Sequence, residues 1–243
     1  MNAPRANLNI ACLIAVALLT ANPAVSAQTP NSASASQGAA QNTNAKPDAV
    51  SLDAVFERGA INGSSYSNPL LGFSFAVPKD WRVLSKAEIV AAKPKAAELS
   101  AQQHPERSEQ IREQAQFTAL LFMAAQKIAG PDKRSFSVMA VPIDESDAGI
   151  SGDEMLRRLA AKGRRENRPD RYVSEPEAKT YGGRKLWRAD LQRAPSGPNA
   201  LVRELIFVER GLCVVVMGGA SNHADLDQLE SVFESLRFFQ PTN

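Results

Sequence analysis

Few residues in this chain could carry chemistry, and their spacing limits what they could do. Of its two histidines, His104 stands in a polar connection and His223 in the predicted first turn of a helix. Neither accompanies a G-x-S-x-G nucleophile elbow, which does not occur. Solvated helix ends explain both. Cys213 lies in Leu212-Cys213-Val214-Val215-Val216, an interior strand pattern that disfavours the thiolate needed for redox or nucleophilic work. A small core hydrophobe accounts for it equally well. Soft ligands with paired spacing are absent, so the sequence points to no zinc site, and no cofactor motif is present.

Carboxylates offer more. The run Asp144-Glu145-Ser146-Asp147-Ala148-Gly149, with Asp153 and Glu154 close by, has the composition of a calcium loop. It lacks the alternating ligands and the terminal glutamate that an EF-hand needs. Acids at the start of a helix suit the dipole and explain the cluster without a metal. Glu175, Glu177 and Asp190 are the acids nearest predicted sheet strands. A facing pair of them could run general acid–base or nucleophilic chemistry on a polysaccharide, provided the fold sets their separation.

The densest charge run holds Arg157, Arg158, Lys162, Arg164, Arg165, Arg168 and Arg171. Positions 157, 158, 161, 162 and 165 share the helix face opposite Met155 and Leu159, and the nearby acids are taken to be Glu166 and Asp170. A solvated face with cations near a helix C-terminus is one reading. The other is a docking surface for an acidic envelope protein or anionic surface, since guanidinium forks grip carboxylate and phosphate bidentately. Aromatic interleaving stops at Tyr172, which excludes a nucleic-acid groove.

These residues must be positioned by the rest of the chain. Residues 1–27 read as a cleavable signal peptide: Arg5, an apolar run from Ile10 to Leu19, then Val25-Ser26-Ala27. The run is shorter than the ~20 residues a membrane-spanning helix needs, and no stop-transfer segment follows. Cys12 sits ahead of most of this run, the wrong side for a lipoprotein cysteine. Its removal leaves Cys213 as the only cysteine and 27 basic against 26 acidic residues, with no charge bias toward nucleic acid or membrane. Periplasmic or secreted localisation is the expectation. Residues 28–49 are rich in Ser, Ala, Asn and Gln and form a disordered leader. Residues 50–65 are a linker with a short amphipathic helix.

A single domain is expected over 66–240. Gly72-Phe73-Ser74-Phe75-Ala76-Val77-Pro78 alternates as a half-buried strand, with Trp81 placed to fold back over its apolar face. The capping box Ser85-Lys86-Ala87-Glu88 opens a helix that Pro94 ends, and a second helix covers 106–116. Strands follow at 117–125 and 136–142. A second capping box, Ser151 to Glu154, opens the basic helix. A meander at 178–181, 184–193, 200–209 and 212–217 turns at Gly182-Gly183 and Arg210-Gly211. Ser221 caps a last helix that directs Leu226, Leu229, Val232 and Phe233 inward. The class is α+β, an antiparallel sheet of about six strands flanked by helices.

The opening Asn68-Pro69-Leu70-Leu71-Gly72-Phe73-Ser74-Phe75-Ala76-Val77-Pro78-Lys79-Asp80-Trp81 resembles the start of the PsbP-like superfamily. The ending, a hairpin followed by a helix and Ser235-Leu236-Arg237-Phe238, is similar to that superfamily's close. The resemblance spans 66 to 239 and implies an α/β/α sandwich around an antiparallel sheet. Members include photosystem II extrinsic subunits and DcrB-like lipoproteins, are mostly non-enzymatic, and share no catalytic set. What it implies here is an exported domain that binds or supports another envelope component. The alternative is a carboxylate-dependent envelope enzyme.

Overall fold

The computed structural model describes residues 50–103, 105–126, 134–143, 149–165, 171–193 and 200–242. The segments read as signal peptide and leader, His104 and the acidic run 144–147 lie outside them.

Long runs in which both parities are apolar form strands buried on both faces. They are β5 (Ala119–Gln126), β6 (Ser135–Pro142), β10 (Leu201–Glu209) and β11 (Leu212–Ala220). Shorter or half-polar strands surround them: β4 (Trp81–Val83), β7 (Arg171–Tyr172), β8 (Glu177–Tyr181) and β9 (Arg184–Gln192). Together they make an eight-stranded sheet in the order β4-β5-β6-β11-β10-β9-β7, with β8 also on β9. Every pairing in it is antiparallel. The sheet exceeds the six strands expected because β4 and β7, three and two residues long, carry no legible period.

A second sheet of four strands, in the order β1-β2-β3-β12, joins β1 (Ala60–Asn62), β2 (Ser65–Asn68) and β3 (Phe73–Ala76) to the C-terminal β12 (Arg237–Phe238). The hairpin β10–β11 turns through Arg210 and Gly211 at φ 50° and 74°, a left-handed pair matching the strand twist. Gly72, at φ 63°, has no room for a side chain against the Phe239 carbonyl.

Helices cover both faces of the large sheet, as the α/β/α expectation requires. One face carries α2 (Lys86–Gln103), α3 (Ser108–Gln116) and α4 (Gly152–Arg165), which bury Ile89, Ala97, Ile111, Ala115, Met155 and Leu156 against it. The other carries the small sheet, α1 (Leu52–Arg58) through Val55, and the C-terminal α5 (His223–Gln228) and α6 (Glu230–Glu234). Rings dominate this second layer. Phe75 meets Phe122 at 4.9 Å and Phe136 at 5.1 Å, and Phe136 meets Phe233 at 5.3 Å between centroids.

Four local expectations are corrected. Pro94 does not end α2; it sits inside it, so the Val90 carbonyl has no N–H four residues on. Buried Ala96, Ala97 and Ala101 hold the second half of the helix to the core, which outweighs the lost bond. Trp81 packs against the cluster that holds Phe73, Phe75 and Val77, but from an edge strand opposite Gln126 and only half-buried, so it is a partial cover rather than a full cap. Asn222, not Ser221, caps the C-terminal segment, accepting from the Asp225 N–H at 2.9 Å, and Leu229 splits that segment into α5 and α6. At α4 the Ser151 hydroxyl donates to the Asp153 carboxylate rather than forming the expected box with Glu154. The box at Ser85 does form, with Glu88 accepting from the Ser85 N–H at 2.8 Å.

Candidate functional site

Strand register decides which carboxylates meet. Asp190 on β9 lies directly across from Arg203 on β10, and Glu177 on β8 lies across from Arg188. Arg203 is only 5% exposed and grips Asp190 with two bonds of 2.9 Å, from Nε to Oδ1 and from Nη2 to Oδ2. Its Nη1 reaches Glu230 of α6 at 2.8 Å, and Nη2 reaches Asp227 of α5 at 3.3 Å. Arg188 sits between Glu177 at 3.1 Å and Glu230 at 3.4 Å. Glu230 also accepts from Tyr181 Oη at 2.9 Å and from Lys179. Of the three acids singled out from sequence, Glu177 and Asp190 thus enter one network, while Glu175 stays exposed.

The electrostatics at Glu230 oppose a general-acid role. Burial alone would raise Glu230, yet the bonds from Lys179 and Tyr181 and the charges of Lys179 and Arg188 hold it below the usual carboxylate range. The Asp190 bond pushes Arg203 further up against its own desolvation, and burial pushes the Tyr181 phenol up. A general acid near neutrality needs a raised carboxyl, and Glu230 is moved the other way. The network instead ties α5 and α6 to the sheet. Sequence reasoning missed Arg203 and Glu230, although a lone Arg-Glu pair in the apolar run Leu201 to Phe207 was a signal for buried ion pairing.

The opposite face of β10 carries Glu204, fully buried, accepting from Tyr172 Oη at 3.1 Å. Cys213 lies buried, its Sγ 3.2 Å from the Met155 Sδ, and burial first, then the Glu204 charge, pushes the thiol far up. Such a thiol is inert.

The described residues also form an open cleft between α1, α2, α3 and the start of β5, with a volume of about 570 Å³. Its walls include Leu52, Phe56, Ile89, Val90, Ala97 and Leu120. Lys93 and Asp53 stand in the lining, as do Glu98 and Arg112. The last two are bonded to each other at 2.9 and 3.1 Å. Lys93 is half-buried, and desolvation lowers its pKa while Asp53 partly restores it. Nothing in the sequence pattern marked this cleft, because it forms where three helices and a strand converge.

The basic helix is more compensated than its sequence implied. Arg157 lies 3.8 Å from Asp153 and Arg158 2.8 Å from Glu154, one turn back in each case, so the first-turn acids serve as partners that the reading from 166 and 170 overlooked. The side chains of Lys162, Arg164 and Arg165, and Arg168 as a whole, lie outside the described residues. His223 is exposed at the first position of α5. Among the described residues no three His, Cys, Asp or Glu side chains are grouped to hold a metal, and no helix is long and apolar enough to cross a membrane.

No protein-family profile and no curated protein matches the chain. Among solved structures it is similar to a cyanobacterial PsbP from Synechocystis, with TM-score 0.43 and 13% identity over 74% of this chain and 98% of that one. It is also similar to LpqN, described as involved in cell envelope biogenesis of Mycobacterium tuberculosis, with TM-score 0.37 and 13% identity over 69% and 83% of the two chains.

Proposed function

We propose that this chain is an exported, non-catalytic domain that binds another component of the cell envelope. The carrying observation is the commitment of the sheet carboxylates: Asp190 lies in the guanidinium fork of Arg203, and Glu177 and Glu230 both face Arg188. Through Arg203 and Glu230 these ion pairs tie α5 and α6 to the sheet, which gives the acids a structural role. The leader expected over 1–27 supports the address.

Crosslinking in the native envelope followed by capture of the chain tests the binding reading. A discrete crosslinked component is expected. Turnover of an envelope polysaccharide by the wild-type chain, abolished by Asp190→Asn or Glu177→Gln in a folded variant, would establish the enzymatic alternative instead. N-terminal sequencing of exported material should begin at Gln28. A chain retaining residues 1–27 would contradict the signal-peptide reading.

A further inference from the structure

The cleft between α1, α2 and α3 has a chemistry that narrows its occupant. At about 570 Å³ it falls in the ~300–1,000 Å³ range of small-molecule sites, and its walls are mostly aliphatic with a few polar groups, the usual balance of such sites. Val90, at its mouth, is 58% exposed, the most exposed large apolar side chain among the described residues. Val90 carries the apolar wall of the cleft out to the surface, where an apolar group bound in the cleft would cover it. The expected leader does not suit that place: between Gln28 and Ala49 it offers only Ala and Pro as apolar residues.

Charge selects further. Glu98 and Arg112 neutralise each other across the α2–α3 contact with a bidentate bond. Lys93 forms no salt bridge or hydrogen bond among the described residues, and its ammonium is half withdrawn from water. A partly desolvated cation gains from an anion brought to it, more than an exposed one would. Asp53, on the exposed face of α1, only partly answers that charge.

We propose that this cleft binds a single acyl chain ended by an acidic head group, with the chain along Ile89, Ala97 and Leu120 and the head group at Lys93. This rests on the binding reading above and names its ligand class. Commitment to an anionic amphiphile follows from the pairing of an aliphatic wall with one unbridged ammonium. A peptide helix would instead need a longer groove with anchors spaced by turns.

The test uses the purified chain with dodecanoate and dodecanol, each below its aggregation limit, followed by calorimetry. Dodecanoate should bind saturably with one site and be preferred to the alcohol by about tenfold, the worth of one charge-assisted bond. Lys93→Met should abolish that preference while leaving dodecanol binding in place. Val90→Asp, at an exposed position that folding tolerates, should weaken both. A photoreactive dodecanoate on the wild-type chain supplies a readout independent of any variant, with labels expected on α1, α2 or α3.

Absence of saturable dodecanoate binding, labels confined to other elements, or a preference that survives Lys93→Met would each overturn the proposal. Capture of an envelope partner without dodecanoate binding sinks the ligand assignment and leaves the binding reading standing. Polysaccharide turnover by Asp190 or Glu177 would sink that reading whatever the cleft holds.

Discussion

The two faces of the large sheet are built from different materials. Toward the small sheet and α6 the core is aromatic: Tyr66, Phe73, Phe75, Phe122, Phe136 and Phe233 are all buried and in ring contact. Toward α2, α3 and α4 the fully buried side chains are aliphatic, chiefly alanines, methionines, valines and leucines, with Phe56, Tyr172 and Trp187 only partly buried at its margins. Rings interlock and fix one arrangement, whereas small alanines leave space and methionines adapt to irregular gaps. The cleft opens at the margin of the aliphatic layer, walled by Ile89, Ala97 and Leu120 from that layer and by Leu52 and Phe56 of α1 from the other. The aromatic layer therefore secures the fold, and the aliphatic margin can accommodate a guest.

The largest expected effect tests this division directly. Phe136→Ala removes a ring touching Phe75, Phe122 and Phe233 in a layer with no slack, and should cost about 3–5 kcal/mol in denaturant unfolding. A loss under about 1 kcal/mol would mean that the aromatic face can collapse around a cavity and does not differ from the other.

Next in size is Arg203→Met, on the aromatic side of β10. It strands the carboxylates of Asp190 and Glu230, which are 14% and 18% exposed, and should cost about 3 kcal/mol. The double variant Arg203→Met with Glu230→Gln should recover part of that loss, because a buried charge without its partner is the main penalty. Additive losses in the double variant would show that the network contributes packing and little electrostatics.

The same network fixes the acid limb of stability. Glu230 titrates below its ordinary 4.5 in the folded chain. The stability linked to it is therefore fully present above about pH 4.5 and is lost as pH falls through the depressed folded value. Glu230→Gln should flatten the pH dependence of unfolding in that window. An unchanged slope would remove Glu230 from the account.

Legibility in the sequence divided along similar lines. The α+β class, the strands expected at 117–125 and 212–217 and found at 119–126 and 212–220, the Arg210-Gly211 hairpin and the Ser85 box all follow from period, turn chemistry and capping, which are local properties. Pro94 misled because a local rule met a tertiary override: the alanines beyond it pack on the sheet. Asp190 and Glu177 were singled out correctly as sheet acids, but their guanidinium partners follow from register, which no periodicity encodes. The cleft was invisible for the same reason, since Leu52, Lys93 and Leu120 are distant in sequence and meet only in the fold.

Trp81 measures how far the aromatic face extends. Had it capped the sheet as the sequence suggested, truncation would resemble that of Phe136. As a half-buried edge residue opposite Gln126, its replacement by alanine should cost about 1–2 kcal/mol, because only part of its area leaves water. A loss matching that of Phe136→Ala would place the edge strand within the interlocked layer.

The smallest effect is expected on the aliphatic face, and its sign is informative. Burial holds the Lys93 pKa below 10.5, against the partial opposition of Asp53. Between that depressed value and 10.5 the unfolded chain binds more protons than the folded one, so the Lys93 contribution to stability rises with pH in this window, opposite in origin to the acid limb of Glu230. At neutral pH the ammonium is charged in both states and its partial desolvation is a cost. Lys93→Met, which keeps the aliphatic length and removes the charge, should therefore leave the unliganded chain as stable as wild type or stabilise it by up to about 1 kcal/mol. Groups retained for binding often show this pattern, neutral or costly to folding alone and favourable once a ligand arrives. Thermal unfolding with and without dodecanoate separates the two contributions: wild type should gain stability on adding dodecanoate, and Lys93→Met should gain less. If Lys93→Met instead destabilises the empty chain by as much as Arg203→Met, Lys93 is part of the structural core and the two faces do not divide the work of folding and binding between them.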